Sequence, residues 1–273
     1  MVRRRDVLAS TLAVPAAALA HPACAKGFSD AGLQLYTVRG LLATDYEGTL
    51  ARVARLGYRQ VEFAGVYPAA PRQTLAMLKR HGLTAPSGHA SHEELERDLA
   101  GALRTANELE QQFIVCPSVD TGRLRSFDDW KRLGQSFNRI GAEAHRAGLV
   151  FAYHNHDFEF RLLGGQIPYD VLLAESDPAL VRLEIDLYWM TKAGHDPVIY
   201  FKKYPARFPL VHLKDMARDG TITEVGQGTI DFRRILAHAE LAGIAHCFVE
   251  HDDPADPMHS IETSLRHVRQ FQG

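Results

Sequence analysis

Short apolar runs alternate along residues 27–273 with longer stretches whose apolar positions recur at helical spacing. Apolar runs of this length are typical of parallel strands buried on both faces, and a helix after each strand supplies the crossover that parallel pairing needs. Eight such pairs can be counted. The pattern therefore predicts an α/β fold, a single-domain (β/α)₈ barrel. The alternative, an open doubly wound sheet, usually has fewer strands and a G-x-G-x-x-G sequence after the first.

Glycines and capping residues set the predicted element boundaries, as Gly57, Gly82, Gly148 and Gly243 each follow a helical stretch. The predicted strands are residues 33–38, 60–64, 83–88, 113–116, 149–155, 181–187, 210–214 and 245–250. The predicted helices are residues 46–56, 72–81, 91–109, 127–147 and 197–204, one from Pro168, one from Asp231 to Ala242, and one from Ser260. A glycine-rich loop, residues 220–228, precedes Asp231 and indicates a turn there.

Charged and imidazole side chains interrupt this apolar pattern where strands five to eight end. They form pairs two residues apart: His154 with His156, Glu184 with Asp186, His212 with Lys214, and Glu250 with Asp252. Residues two apart in a strand point to the same face, so each pair is expected to point toward the barrel axis. The carboxyl face of a barrel is where active sites are built.

One ligand from each of these four strands gives a predicted metal site of His154, Asp186, His212 and Glu250. Burying such groups together is costly unless they are paired or bind a cation. Imidazole and carboxylate ligands suit one divalent ion, with Mn²⁺ favoured over Zn²⁺, Co²⁺ or Mg²⁺. A single histidine at a strand end is more often structural, but the coincidence on four consecutive strands favours the metal site.

A metal ion at this site would polarise a carbonyl while a base removes the proton alpha to it. The candidate catalytic residues are Glu250, His156, Lys214 and Glu184. The candidate substrate-binding residues are Tyr36, Glu62, His89 and Trp189. Simpler roles stay open: Lys214 pairs with Glu184 or Asp186, Glu62 is an ion-pair partner, and His89 caps the helix at Ser91.

Four segments carry a resemblance to a known family. They are GLQLYTVR at residues 32–39, YHNHDFEF at 153–160, VHLKD at 211–215 and VGQGTIDF at 225–232. Together they make the chain similar, over residues 31–271, to the xylose isomerase-like superfamily of sugar isomerases and epimerases. That superfamily also includes inosose dehydratases and metal-dependent apurinic endonucleases.

The resemblance implies one divalent metal held by an acid after strand five, an Asp on six, a His on seven and a Glu on eight. Asp186, His212 and Glu250 match this pattern, whereas His154 stands where ketose epimerases have a glutamate. Trp189 stands where a substrate-binding histidine is expected. The His-rich stretch that contains His154 looks more like the dehydratase and hydratase branch, including enzymes acting on 3-keto sugars, than like the two-glutamate epimerases.

The leading hypothesis is thus a metal-dependent isomerase or epimerase that abstracts a proton from a keto-sugar or polyol. One alternative is a hydratase or dehydratase acting on a 3-keto sugar or inosose-like substrate, and another is a non-catalytic exported sugar-binding protein. Nucleic acid is not an expected partner, because the formal net charge is −2 and no basic stripe follows the first residues. Association into a homo-oligomer stays open.

The first 25 residues are typical of an export signal. Arg4 and Arg5 lie before an apolar stretch, residues 7–20, that is short for a membrane span, and Ala23-Cys24-Ala25 is a small-residue cleavage site. The arginine pair resembles a twin-arginine signal. The expected location is periplasmic or secreted, without stable membrane insertion after cleavage, and residues 26–273 form the catalytic domain.

Composition agrees with a large core, since 46% of residues are hydrophobic and 23% are charged. Cleavage would leave Cys116 and Cys247, both in apolar runs. Two cysteines do not form a disulfide framework, so we expect two buried thiols and a fold stabilised by its core.

Overall fold

The computed structural model describes residues 30–271. Eight parallel strands close into a barrel within this range, and helices follow them in sequence. The predicted (β/α)₈ barrel is confirmed. The predicted export signal, residues 1–25, lies outside the described residues.

The barrel strands agree with the predicted ones to within a few residues at each end. They are β1 (Gly32–Gln34), β2 (Gln60–Phe63), β3 (Thr84–His89), β4 (Phe113–Cys116), β5 (Val150–His154), β6 (Val181–Asp186), β7 (Leu210–Leu213) and β10 (His246–Val249). The strands β8 (Asp215–Met216) and β9 (Ile222–Thr223) form a small antiparallel pair outside the barrel. The barrel closes because β1 pairs with both β2 and β10.

The helices include every predicted one and two more. They are α1 (Arg39–Thr44), α2 (Tyr46–Leu56), α3 (Pro71–Arg80), α4 (His92–Glu108), α5 (Phe127–Arg146), α6 (Pro168–Glu175), α7 (Leu187–Lys192), α8 (Pro197–Lys203), α9 (Phe232–Leu236), α10 (Ala239–Ala242) and α11 (Pro257–Val268). The sequence analysis did not predict α1 and α7. The longest, α5, begins at a capping box in which Ser126 and Asp129 bond each other's backbone N–H groups.

Apolar side chains fill one end of the barrel interior. A cluster separate from the main core consists of Phe113, Val115, Ala152, Leu210 and Phe248. Three of its members, Ala152, Leu210 and Phe248, precede His154, His212 and Glu250 by two residues and point to the same face. The barrel interior is therefore apolar toward the amino ends of the strands and polar toward their carboxyl ends.

Local side-chain hydrogen bonds explain where the predicted boundaries were wrong. The first strand ends at Gln34 rather than residue 38, because the Gln34 side chain accepts from Tyr36 N and starts a 3₁₀ turn. Asp98 interrupts α4 with a non-helical backbone and caps the second half by accepting from Gly101 N. The helix predicted from Asp231 divides at His238. The side-chain Nδ1 of His238 lies 3.1 Å from Arg234 O, the carbonyl that the His238 backbone N–H would bond in a continuous helix.

The glycine-rich loop wraps a buried carboxylate. Backbone N–H groups of Gly226, Gly228 and Ile230 all donate to the side chain of Asp215, at 2.9 to 3.1 Å. Gly226 has a φ of 86°, which favours glycine. The turn expected before Asp231 is thus held by Asp215, and Asp231 caps α9 as predicted by accepting from Arg234 N.

Two remaining expectations concern membrane insertion and the cysteines. Within residues 30–271, every helix is too short or too polar to cross a bilayer. Cys116 and Cys247 are buried, as predicted, and burial raises the pKa of the Cys116 thiol above its ordinary range.

Candidate metal centre

Three of the four predicted metal ligands converge at the carboxyl end of the barrel. Asp186, His212 and Glu250 are buried, and one potential ligand atom of each lies within 4.8 Å of the others. Neighbouring strands bring them together, since Asp186 pairs in register with His212 and β10 lies on the other side of β7. The arrangement offers two carboxylates and one imidazole to a cation.

His154, the fourth predicted ligand, lies at the edge of this group. Its Nε2 is 3.9 Å from Asp186 Oδ2, while its Nδ1 is 3.1 Å from Glu184 Oε2. Burial lowers the pKa of His154 well below its ordinary value, and its imidazole neighbours add to that effect. His154 is therefore neutral and able to offer a lone pair.

Two glutamates lie beneath the predicted ligands, both with no exposed surface. Glu62 accepts hydrogen bonds from Gln34 Nε2 at 2.8 Å and from His212 Nε2 at 2.7 Å. Glu184 Oε2 lies 3.0 Å from His89 Nε2 and 3.2 Å from His212 Nε2. A second group of possible ligand atoms, from His89, His154, Glu184 and His212, results from this packing.

The glutamates and imidazoles stabilise each other's charges. Burial opposes ionisation of Glu62, but His89 and His212 outweigh it and hold its pKa below its usual range. Burial likewise opposes a charge on Glu184, yet the surrounding imidazoles lower its pKa to about 2. Burial disfavours the charged form of His89, but Glu62 and Glu184 raise its pKa to about 9, and the pKa of His212 is raised for the same kind of reason.

Lys214 brings a cation to the same place. Its Nζ lies 3.0 Å from Asp186 Oδ2, 2.8 Å from Glu250 Oε2 and 2.6 Å from Asp252 Oδ1. Burial opposes the charge, but these carboxylates outweigh it and raise the pKa of the ammonium group. Of the pairings considered for Lys214, the structure selects Asp186 over Glu184.

A buried carboxylate oxygen that accepts no hydrogen bond indicates that the candidate ligands fit a divalent ion. Asp186 Oδ2 is buried and accepts no hydrogen bond, although the Lys214 ammonium lies nearby. Burial raises the pKa of Asp186 to about 6 against the opposing effect of Lys214 and His212. A cation bound by Asp186, His212, Glu250 and His154 would give this oxygen a partner, and a set of two carboxylates and two imidazoles suits Mn²⁺, Mg²⁺ or Zn²⁺.

The carboxylate of Asp186 is held in place by its neighbours in the chain. Its Oδ1 accepts from Trp189 N and so caps α7, which leaves Oδ2 directed at the centre. Asn155 accepts from Asp186 N at 3.1 Å and ties the end of β5 to the end of β6. The helix cap and the candidate metal ligand are thus the same side chain.

Aromatic rings border the centre on one side. The rings of His156 and Trp189 lie 5.5 Å apart, Phe158 stacks on His156 at 5.9 Å, and Lys214 Nζ lies 5.6 Å from the Trp189 ring. Burial and the charge of Lys214 lower the pKa of His156 to about 4, so this imidazole is neutral at physiological pH. We call His156, Phe158 and Trp189 the aromatic wall.

The predicted substrate-binding residues have different surroundings. Trp189 belongs to the aromatic wall, and Tyr36 is 42% exposed on the turn after β1, with the Arg39 guanidinium 4.1 Å from its ring. Glu62 and His89 lie in the buried network. His89 contacts Glu184 and Gln34 and does not cap α4, since Ser91 alone accepts from Glu94 N.

Two residues of the network were given no role in the sequence analysis. Gln34 Nε2 donates to Glu62, and Asp252 pairs with Lys214 while its own side chain is 29% exposed. The signal for Gln34 was present, because it is an amide inside an otherwise apolar strand. Asp252 shares the face of Glu250 but lies beyond the end of β10.

A buried carboxyl near the wall gives a test of the electrostatics. Burial raises the pKa of Glu159 from 4.5 to about 7, against hydrogen bonds from Tyr153 OH and His156 N. The folded protein therefore holds a proton that the unfolded chain loses, so Glu159 makes stability fall by about 3 kcal/mol as pH rises from about 4.5 to 7. Glu159→Gln should remove this part of the decline, measured by urea unfolding at pH 5 and pH 8. An unchanged difference between the two pH values would contradict the assignment.

Comparison with known proteins connects this geometry to a family. A sequence profile described as the xylose isomerase-like TIM barrel matches residues 50–271. An inosose dehydratase of Lacticaseibacillus casei is 26% identical over 236 residues, which cover 72% of this chain and 78% of that protein. An inosose dehydratase of Clostridium tetani is 23% identical over 229 residues, covering 70% and 76%.

Solved structures agree with the fold. A sugar phosphate isomerase/epimerase from Parabacteroides distasonis superposes with a TM-score of 0.76 at 27% identity, covering 88% of this chain and 93% of that one. A 3-keto-D-glucoside 4-epimerase from E. coli superposes with a TM-score of 0.66 at 19% identity, covering 88% and 99%. The second likeness concerns the fold alone.

Proposed function

This chain belongs to the xylose isomerase-like TIM barrel family, and we propose that it is a metal-dependent enzyme that removes a proton alpha to the carbonyl of a keto-sugar or related polyol. The relatives are named as isomerases, epimerases and dehydratases, so the chain is an enzyme of the isomerase/epimerase or hydro-lyase type. The observation that carries the proposal is the convergence of Asp186, His212 and Glu250, with a buried Asp186 oxygen among them that accepts no hydrogen bond.

A bound divalent ion would supply Lewis acidity toward the carbonyl oxygen and stabilise the enediolate charge. The chain's own residues supply the proton transfers. His156 is the favoured base, because it is neutral and only partly buried. Its Nδ1 is buried without a hydrogen-bond partner, so Nε2 is the nitrogen proposed to accept the proton. Glu250 is a weaker base here, since its carboxylate is engaged by His212 and Lys214. Glu184 is enclosed by imidazoles without exposed surface.

Lys214 favours dehydration as the second candidate reaction. Its ammonium is charged and lies against the aromatic wall, so it can orient a departing β-hydroxyl by a hydrogen bond. The hydroxyl would then leave as water with the proton that the base removed from the alpha carbon. Reprotonation of the enediolate on the opposite face would instead give an epimer. The inosose dehydratases among the relatives support the first outcome, and the isomerase/epimerase supports the other.

Solvent exchange followed by NMR in D₂O separates these possibilities. The protein, loaded with Mn²⁺, Zn²⁺, Co²⁺ or Mg²⁺, would be incubated with ketoses, 3-keto-glucosides and an inosose, and the ion content measured in parallel. Deuterium at the alpha carbon supports the proposal, and a new alkene or epimer identifies the outcome. Tight binding without exchange would favour a sugar-binding protein, and a metal-free protein would refute the centre. We expect one ion per chain, with Mn²⁺ preferred.

Substitution of the favoured base is expected to slow exchange. His156→Gln should reduce the rate of alpha-proton exchange by about 10²- to 10⁴-fold, because positioned acid–base groups contribute that much. Ion content should stay unchanged, since His156 is not among the proposed ligands. The matched control is His145→Gln, on the exposed surface near the end of α5. Equal rates in the two variants would assign the base role elsewhere.

Export is part of the same proposal. The arginine pair and apolar stretch of residues 1–25 suit a twin-arginine route to the periplasm or beyond. Cell fractionation of the full chain and of a variant with Arg4→Lys and Arg5→Lys would test it. Retention of the variant in the cytoplasm with export of the parent supports the route, and equal distribution opposes it.

A further inference from the structure

We propose that Glu184 and Glu62 are positioning residues that hold His154 and His212 in opposite ring tautomers. His154 would then present Nε2 to the metal, and His212 would present Nδ1. The inference rests on the proposed metal centre and adds which nitrogen of each ring binds. It also gives the two buried glutamates a role other than base or substrate ligand.

The contacts of His154 define its tautomer. Its Nδ1 lies 3.1 Å from Glu184 Oε2, and its Nε2 is directed toward Asp186 Oδ2 at 3.9 Å. A carboxylate only accepts hydrogen bonds, so the nitrogen facing Glu184 carries the proton. In a neutral ring the other nitrogen, Nε2, then has the lone pair, and it lies on the side of the proposed metal ligands.

His212 has the opposite arrangement. Its Nε2 lies 2.7 Å from Glu62 Oε2 and 3.2 Å from Glu184 Oε2, and its Nδ1 lies 2.8 Å from Glu250 Oε2. Glu62 and Glu184 therefore fix a proton on Nε2. Nδ1 faces Glu250, a proposed ligand, and is free to bind a cation once its own proton is released.

The surroundings of the two glutamates exclude solvent and substrate. Both have no exposed surface, and Gln34 also donates to Glu62 Oε2, at 2.8 Å. Carboxylates that accept from the second nitrogen of a metal-binding histidine fix the ring and raise its basicity, and losing them costs about 10- to 100-fold in metal affinity. The positions of Glu62 and Glu184 beneath the rings are those such a role needs.

A spectroscopic test reads the tautomers directly. The zinc-loaded protein, labelled with ¹⁵N at histidine, would be studied by long-range ¹H–¹⁵N correlation. We expect a protonated Nδ1 and a zinc-bound Nε2 for His154, and a protonated Nε2 with a zinc-bound Nδ1 for His212. The same tautomer at both rings, or the reverse pair, would overturn the inference.

Metal affinity provides a second readout. Glu184→Gln and Glu62→Gln should each weaken Zn²⁺ binding by about 10- to 100-fold in competition with a chelator. Glu159→Gln is the matched control, because it changes an equally buried glutamate that contacts no candidate metal ligand side chain, and its affinity should stay within about twofold. Unchanged affinity in both test variants would overturn the inference, as would two zinc ions per chain with one lost in Glu184→Gln, since Glu184 would then be a ligand.

Failure of this inference and failure of the proposed function give different results. A protein that binds no divalent ion refutes the proposed centre itself. A protein that binds one ion and exchanges the alpha proton, but has other tautomers, refutes only the role of Glu62 and Glu184. If either variant fails to fold, the tautomers observed by NMR in the wild-type protein still test the inference.

A separate observation concerns substrate charge: we infer that the substrate carries no phosphate group. In (β/α)₈ barrels, substrate phosphates are often bound by the loop after strand seven and by a helix N-terminus near strand eight. Here the loop N–H groups of Gly226, Gly228 and Ile230 all donate to the buried carboxylate of Asp215. The corresponding α11 terminus is filled as well, because Asp256 accepts from Met258 N and His259 N.

Two cationic side chains near the centre already pair with carboxylates. Lys214 is paired with three carboxylates, and Arg39 pairs with Asp253 and donates to Asp252 O. Lys192, on α7, stacks over Trp189 and donates to Tyr188 OH; among the described residues no carboxylate pairs with it. A single exposed ammonium group does not replace the backbone donors that Asp215 and Asp256 occupy.

Inorganic phosphate is the probe for this second inference. Phosphate should raise the thermal unfolding temperature of the wild-type protein no more than sodium chloride does at equal ionic strength. It should also leave the rate of alpha-proton exchange unchanged. Asp215→Ala, if folded, should gain stabilisation by phosphate. Competitive inhibition of the wild type by phosphate, relieved in Lys192→Ala, would overturn the inference. The exchange assay itself still tests the proposed function separately.

Discussion

Asp186→Asn is expected to abolish stoichiometric metal binding and to lower turnover by on the order of 10³-fold. Lewis-acid stabilisation by a metal contributes several kcal/mol, and each 1.36 kcal/mol is a tenfold change in rate. Asparagine caps helices about as well as aspartate, so α7 should keep its N-cap while Oδ2 and its charge are lost. Metal analysis after gel filtration and exchange kinetics measure the two losses.

The comparison variants isolate the cause. Asp186→Ala removes the cap and the ligand together, and His212→Ala removes the imidazole that joins Glu62 to Glu250, so both should also lose the ion and turnover. Asp196→Asn makes the same change at the N-cap of α8, away from the centre, and should retain both. Retention of ion and turnover in Asp186→Asn or His212→Ala would refute the centre as described.

Lys214→Met should destabilise the metal-free protein by about 3–5 kcal/mol, the usual cost of removing one partner from a buried ion pair. Asp186 and Glu250 would be left buried and close together without the ammonium that now lies 3.0 and 2.8 Å from them. A divalent ion neutralises the same carboxylates, so Mn²⁺ should recover part of the loss. Urea unfolding with EDTA and with Mn²⁺ measures both effects.

A surface lysine supplies the control. Lys203 pairs with Asp170 at 2.9 Å, but both side chains are at least partly exposed to solvent, so Lys203→Met should change stability by at most about 1 kcal/mol. If Lys214→Met and Lys203→Met had the same free energy of unfolding, with or without Mn²⁺, the prediction would be wrong. The Lys214 ammonium would then not be needed to stabilise the three carboxylates.

The barrel was predictable because its strands are apolar on both faces and its helices end at capping residues. Asp186 and His212 followed from the two-residue period, which the in-register pairing of β6 with β7 bears out. The pattern could not reveal α7, because Asp186 ends a strand and caps a helix at once, and nothing separates the two elements. The interruption at Asp98 was hidden similarly inside a helical pattern.

The contacts around the candidate ligands could not be predicted from the sequence. Glu62 and His212 are 150 positions apart, and their 2.7 Å contact depends on how the barrel closes. The sequence analysis could list the carboxylates, but it could not tell which lie against ring nitrogens and which face the aromatic wall. The same limit applies to Asp215, whose partners are backbone N–H groups of a loop that has no strand or helix period.

Asp186 also ties two parts of the protein into one thermodynamic unit. One oxygen anchors the helix that carries Trp189, and the other points into the centre. A shift of this carboxylate toward a cation would therefore move the start of α7 and the indole ring it carries. By linkage, a ligand that stacks on the indole and a cation in the centre must alter each other's affinity by the same factor, so occupancy at one position reports on the other.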